Sequence, residues 1–428
     1  MKQAHIISVG NELLIGDTVN TNASGIGSFL TGLGFDVKRV TTLPDLYEPL
    51  QKEIAESLHQ ADLTIITGGL GPTHDDITKK VVFELFGGEM ITDMQVLKHI
   101  EQIFEKRGFE MSRANREQAM VPDSCNVLFN KKGTAPGMWF NQDGRCLAVL
   151  PGVPHEMEYL LENGVRDKIQ ETFTGLDVWV TEYFKTAGIP ESTLSEQIGN
   201  LNQFVNNGVG VAYLPGPGGV TIRISASGKD KNSAADKLRD LKKLVNERAG
   251  EFIYGKGKNT MLEEVIGKLL TDQKKSISTA ESCTGGMLAD RITNIAGCSR
   301  YMNGGVVTYS NESKVNILGV SADDIEKHGA VSSQVALQMA KNVAELYNAD
   351  IGVATTGIAG PGGGTAEKPV GLVYMGFWMG SSHFALKTIF TEDRLINKKR
   401  SVAVVLDTVR RNLLGIDGIP YNLKPINP

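Results

Sequence analysis

At 428 residues the chain is too long for one ordinary domain and long enough to bury two or three cores. Hydrophobic residues make up 41% and charged residues 22%, which excludes a disordered or fibrous chain. A net charge of −5 gives no global attraction to nucleic acid or acidic membranes. Four scattered cysteines without a Cys-x-x-Cys pair argue for a reducing compartment and against a structural zinc site.

The first residues run directly into a buried-strand pattern, His5-Ile6-Ile7-Ser8-Val9, with no signal-peptide core before it. The apolar run at 370–379 is too short to span a bilayer. The expectation is a cytoplasmic protein with no membrane partner. Residues 20–33 read as a helix stopped by Gly34, 35–40 as a strand, 49–58 as a helix and 63–67 as a second buried strand. This alternation predicts a parallel sheet with helices on both faces, and ligands beyond the carboxyl ends of its strands. Three polar stretches fall at such ends, at 10–17, 67–76 and 151–156.

The second stretch is Thr67-Gly68-Gly69-Leu70-Gly71-Pro72-Thr73-His74-Asp75-Asp76. Glycines let a backbone approach a phosphate closely and line it with N–H groups. Two carboxylates beside such a cradle repel the phosphate unless a divalent cation lies between them. Metal-assisted chemistry on a phosphorylated ligand is one reading. A turn followed by an acidic helix start, with Asp76 capping residues 78–86, is the other.

From about residue 177 the order becomes β-α-β-β-α-β, which predicts a small split βαβ domain. Its Gly216-Pro217-Gly218-Gly219 run has the glycine spacing of a loop that clamps a nucleic-acid backbone, but it joins two strands. The lysines and arginines of the following helix are interleaved with acids, as on a solvated face. A spacer or dimerisation role is therefore expected, within a homodimer, and nucleic acid is not an expected partner. Residues 255–258, Gly-Lys-Gly-Lys, read as a flexible linker, so that 256–428 should work alone.

Beyond it, a strand at 276–280 leads into Ala280-Glu281-Ser282-Cys283-Thr284-Gly285-Gly286, and a helical pattern at 287–294 leads out. The first N–H groups of a helix lack internal partners and attract negative charge. Such a turn can hold the oxyanion of an acyl transfer, with Ser282 as nucleophile, or it can be an ordinary helix cap. Tyr309 ends the next strand, and Lys314 falls in the first turn of the helix after it. The helix dipole and burial both lower a lysine pKa there, and a neutral lysine can deprotonate serine. Neither stretch contains histidine, so a Ser–Lys arrangement is expected rather than a Ser-His-Asp triad. A strand at 351–355 then runs into the loop Gly357–Thr365, and a helix at 395–413 closes a second α/β layer structure.

The motifs at 10–17, 67–78 and 151–157 resemble the N-terminal domain of the CinA (competence/damage-inducible protein) family, which is similar to a molybdopterin-binding fold. Those at 280–286, 309–314, 357–361 and 368–371 resemble its C-terminal nicotinamide-nucleotide amidase domain. The resemblance implies an α/β chain of three domains: a parallel-sheet molybdopterin-binding-like domain at 1–176, a small KH-like domain at 177–255 and an α/β amidase domain at 256–428. It implies hydrolysis of nicotinamide mononucleotide to nicotinic acid mononucleotide and ammonia. Ser282 would be nucleophile, Lys314 its base and Tyr309 a supporting hydroxyl, with amides near Thr284, Gly285 and Gly286 on the oxyanion. Thr355, Thr356, Gly357, Gly360 and Arg394 would meet substrate, and no metal or cofactor is needed there. At the other end it implies a divalent-metal-dependent ADP-ribose pyrophosphatase. There Gly68, Gly69, Gly71 and Thr73 would contact the diphosphate, Asp75 and Asp76 would hold the metal, and Glu12, Asp17 and His155 would lie at the site. A nucleotide-sensing regulator with inactive sites and a molybdopterin-binding protein are the alternative functions.

Overall fold

The structure, a computed structural model, describes residues 2–71 and 77–426. Its contacts divide the chain into two units, residues 1–180 with 226–236, and residues 181–225 with 237–428. Among the described residues no helix is long and apolar enough to cross a membrane.

In the first unit β1 (Lys2–Val9), β2 (Phe35–Leu43), β3 (Leu63–Thr67), β4 (Asn126–Leu128), β5 (Gly137–Gln142) and β6 (Arg145–Leu150) form one sheet in the order β2-β1-β3-β6-β5-β4. The pairs β1–β2, β1–β3 and β3–β6 are parallel, as the alternating pattern predicts. The far edge is antiparallel, because β5 and β6 are joined by Asp143-Gly144, both at positive φ, the geometry of a two-residue hairpin. Successive strand residues serve opposite faces. Ile6, Ile65 and Ala148 pack with Ile26 and Leu30 of α1 (Thr21–Gly32), whereas Ile7, Ile66 and Val149 pack with Leu50 and Ile54 of α2 (Tyr47–Gln60). The helix α3 (Thr78–Phe86) adds Val81 and Val82 to the second face.

The middle segment contains β7 (Val178–Thr186), α4 (Glu191–Ile198), β8 (Val209–Gly216), β9 (Gly219–Gly228), α5 (Lys231–Ala249) and β10 (Ile253–Lys256). Its sheet order, β8-β9-β7-β10, is that of a split βαβ fold. The linker expectation at 255–258 is corrected. Gly255 and Lys256 pair with Lys185 and Phe184 in the ladder, and the Gly257 amide donates to the Tyr183 carbonyl at 2.9 Å. Polarity and glycine look alike in a linker and in an edge strand.

The C-terminal sheet comprises β11 (Ile277–Glu281), β12 (Met302–Val307), β13 (Ile351–Gly357), β14 (Leu372–Met379), β15 (Ser382–Ile389) and β16 (Pro425–Ile426), in the order β12-β11-β13-β14-β15-β16. Helices α6 (Leu262–Asp272), α7 (Met287–Thr293), α8 (Asn311–Leu318), α9 (Ser333–Leu346) and α10 (Arg394–Leu414) surround it. A Cβ at Gly352 or Gly376 would collide with the carbonyls of Ala340 and Ala336, so α9 lies directly on the strands. The strand β11 is parallel to both neighbours, just as β1 is. In each sheet the chain therefore reverses its direction of growth beside the first strand, and the crevice opens at that strand's carboxyl end. Gly10 and Gly68 follow the two strands at one crevice. Ser282 and the loop after Gly357 follow the two strands at the other.

Candidate active site

Ser282 stands one residue past β11, its amide donating to the Thr355 carbonyl of β13 at 2.9 Å. Lys314 reaches it from α8. That helix starts at Ser310, whose hydroxyl accepts from the Ser313 amide in a capping box. The Lys314 side chain is 1% exposed, and its Nζ lies 3.1 Å from Ser282 Oγ. Two more neighbours of Nζ are carbonyls, Thr308 at 2.9 Å and Tyr309 at 3.4 Å. Among the described residues no carboxylate pairs with it. Burial therefore lowers its pKa from the ordinary 10.5. A neutral amine has two N–H donors and one lone pair. In that form two N–H groups stay on the carbonyls, and the lone pair, in place of the N–H that Nζ gives Ser282 Oγ, can take the serine proton.

A cavity of about 280 Å³ opens on this pair. Tyr309, Thr356, Gly357, Gly360 and Arg394 line it with Ser282 and Lys314. Arg394 spans the mouth, donating to the Gly360 carbonyl at 3.0 Å and to the Tyr309 hydroxyl at 2.9 Å. The tyrosine is 61% exposed, so its hydroxyl sits on the rim. Asn311, Ala330, Val331 and Gly363 also line the cavity without having been singled out as site residues. Asn311 adjoins Tyr309 in a motif already noted, whereas Ala330 and Val331 carry no residue-type signal.

Two expectations about the turn need correction. Thr355 does not face the cavity: it is fully buried, and its hydroxyl bonds the equally buried hydroxyl of Thr284 at 2.6 Å. The amides of Gly285 and Gly286 are not free for an oxyanion. The first donates to the Ser282 carbonyl at 3.1 Å, and the second to the Glu281 carboxylate at 3.0 Å. Glu281 is wholly buried and also accepts from Leu288 at 3.0 Å and Ala289 at 2.8 Å. A carboxylate thus takes up the α7 N-terminus from within. The Cys283 and Thr284 amides remain without a backbone acceptor among the described residues. Glu281→Ala strands one buried and two part-buried donors and is expected to cost about 3 kcal/mol in denaturant unfolding. A midpoint unchanged from the parent would show that the turn does not depend on this carboxylate.

Cys283, next to the serine, packs in the core with Leu288 and Val405. Burial pushes its thiol up to about 12, so it stays protonated at neutral pH.

At the first crevice Gly68 and Gly69 have φ of 108° and 67°. A Cβ on either would collide with the Val9 carbonyl or the Thr78 hydroxyl, so both glycines are required for packing. The Gly68 amide donates to the Leu150 carbonyl at 3.1 Å and is not available to a phosphate, which corrects that assignment. Gly71, Glu12, Asp17 and His155 are exposed around this end, His155 in the first turn of the helix Pro154–Leu160. Thr73, Asp75 and Asp76, and with them the metal ligands, lie outside the described residues. Asn22, carrying no sequence signal, ties the crevice together: its Nδ2 donates to Thr67 Oγ1 at 3.0 Å and to the Gly152 carbonyl at 2.7 Å.

Three family models match the chain. A probable molybdopterin binding domain covers residues 5–171, a damage-inducible protein CinA KH domain 181–255 and a CinA C-terminal domain 259–413. A "CinA-like protein" of Chloroherpeton thalassium is 42% identical over 418 residues, spanning 96% of this chain and 99% of that one. A "putative competence-damage inducible protein" of Thermoanaerobacter pseudethanolicus is 41% identical over 97% of this chain and 99% of its own. A solved structure of CinA from Thermoplasma acidophilum is 38% identical, covering 39% of this chain and 97% of that chain, with a TM-score of 0.36.

Proposed function

The chain belongs to the CinA family, and from that premise we propose that its C-terminal cavity hydrolyses nicotinamide mononucleotide to nicotinic acid mononucleotide and ammonia. The observation that carries this reading is a buried lysine, with no carboxylate partner among the described residues, 3.1 Å from a serine hydroxyl that lines a cavity. Ser282 Oγ attacks the carboxamide carbon while its proton passes to Lys314 Nζ. The oxyanion is held by the two amides left over at the turn, those of Cys283 and Thr284. Lys314 returns the proton to the departing nitrogen, and ammonia leaves an acyl ester on Ser282. Water adds to that ester, giving one proton to Lys314, which returns it to Ser282 Oγ as the serine is expelled; the acid released ionises to the carboxylate. Arg394 is the cation at the mouth for the substrate phosphate. Ammonia release from nicotinamide mononucleotide by the purified chain, undiminished by chelator, is the test. Binding without ammonia release would refute it.

We propose in addition that the first crevice cleaves ADP-ribose. Adjacent carboxylates at Asp75 and Asp76 supply the hard oxygen donors that a divalent cation prefers, and the cation would neutralise the diphosphate they flank. The Gly69 and Gly71 backbone would then lie along the phosphates, without Gly68. Asp76→Asn and chelator are each expected to suppress AMP release from ADP-ribose while ammonia release continues. Full AMP release in chelator would remove the metal from the reading.

A further inference from the structure

A second cavity, of about 430 Å³, lies away from Ser282 and is used by neither proposed reaction. One side is the middle segment, with Ile189, Pro190 and the Pro215–Val220 hairpin. The other is the end of β15, the helix α10 and the turn around Tyr421. The hairpin contains the glycine run that no nucleic-acid role has absorbed. Gly218 approaches Ala403 of α10, with 4.0 Å between an added Cβ and the alanine Cβ, so the tip rests on the helix with no side chain to fill the space beneath it. Close-packed interiors hold few voids larger than a water molecule, and this one has the size of a small-molecule site.

Its walls are mostly apolar, including Ile189, Val220, Phe390, Val404 and Leu423. Arg400 joins them, and its guanidinium has no carboxylate or hydrogen-bond partner among the described residues. The turn opposite is strained: Tyr421 and Asn422 are consecutive residues at φ of 56° and 54°, a region that non-glycine residues avoid. That backbone puts Tyr421 against the cavity with its amide held by the Gly188 carbonyl at 2.6 Å. Glu191, the other charge lining the cavity, is at the first position of α4, where the helix N-terminus stabilises it, and among the described residues it makes no ion pair with Arg400, which leaves the guanidinium open to an anion.

We propose that this cavity is a binding site for a small amphipathic anion, an aromatic or apolar body of one or two rings carrying a single sulfonate, carboxylate or phosphate. The body fills the space under the hairpin, and the anionic group pairs with Arg400.

Fluorescence titration of the full chain with 8-anilinonaphthalene-1-sulfonate tests this directly. One saturable site is expected. Arg400→Ala should weaken it roughly tenfold or more, Arg400→Lys should restore much of the loss, and Thr388→Trp should block it by filling the rim. Parallel melting curves check that the variants remain folded. Absence of saturable binding would overturn the proposal, as would a site unaffected by Arg400→Ala and Thr388→Trp. Displacement of the probe by nicotinamide mononucleotide with Arg400→Ala having no effect would place the probe at Ser282 and equally overturn it.

Discussion

Ser282→Ala is expected to lose about 10³-fold or more of the ammonia-releasing activity, as for removal of a covalent nucleophile. Lys314→Ala should be impaired to a similar degree, because the lysine and serine act as one unit. Lys314→Arg should not rescue, since a guanidinium keeps its proton at neutral pH. Cys283→Ala should keep most of the activity, and Cys283 in the parent should resist alkylation, because this thiol is buried and pushed up to about 12. The pH profile follows from the lysine. Its neutral form is the base, so kcat/KM should rise with pH with its midpoint at the lowered Lys314 pKa, below the 10.5 of an ordinary lysine. Ser282→Ala active and Cys283→Ala inactive would reverse the nucleophile assignment.

The largest expected effect on stability is that of Asp407→Ala, about 3–5 kcal/mol. Asp407 is 1% exposed and holds two buried arginines, Arg410 Nε at 2.7 Å and Arg411 Nε at 3.1 Å. Those arginines reach the middle segment. Arg410 donates to the Glu251 carbonyl at 2.9 Å, and Arg411 pairs with the Glu251 carboxylate at 3.4 Å and lies 5.1 Å from the Phe252 ring centre. Removing the aspartate leaves two buried cations short of a counter-charge. Chemical denaturation monitored by circular dichroism checks the loss. A cost under 1 kcal/mol would mean that the arginines find water instead. The same contacts revise the expectation that residues 256–428 work alone. A fragment of residues 181–428 should fold and keep the amidase reaction, whereas one starting at 256 lacks Glu251 and Phe252 and should be markedly less stable.

Much of the fold was legible because it depends on local pattern. Buried strands such as 63–67, helix stops at glycine and the β-α-β-β-α-β order of the middle segment follow from periodicity and turn chemistry, which the chain carries residue by residue. The Ser282–Lys314 pairing was legible for a related reason. Ser282 directly follows β11 and Lys314 lies in the helix after β12, and these two strands are parallel neighbours that deliver their carboxyl ends to one edge. The Asp143-Gly144 hairpin was also written in the sequence, but its consequence, an antiparallel edge on an otherwise parallel sheet, depends on which strands become neighbours.

By itself, then, the chain determined its elements, its two crevices and the chemical types gathered at each. Tertiary structure alone decided how hydrogen bonds were distributed among them. Glu281 ends its strand whether or not it faces inward, and only packing shows that it takes the amides of Gly286, Leu288 and Ala289. Thr284 and Thr355 are 71 positions apart, and their hydroxyls meet because β11 and β13 are in register. Asp407 and Glu251 are likewise joined only through the arginines of α10. A donor satisfied by a distant acceptor leaves no mark in local sequence, because the desolvation that makes the bond obligatory exists only once both groups are buried.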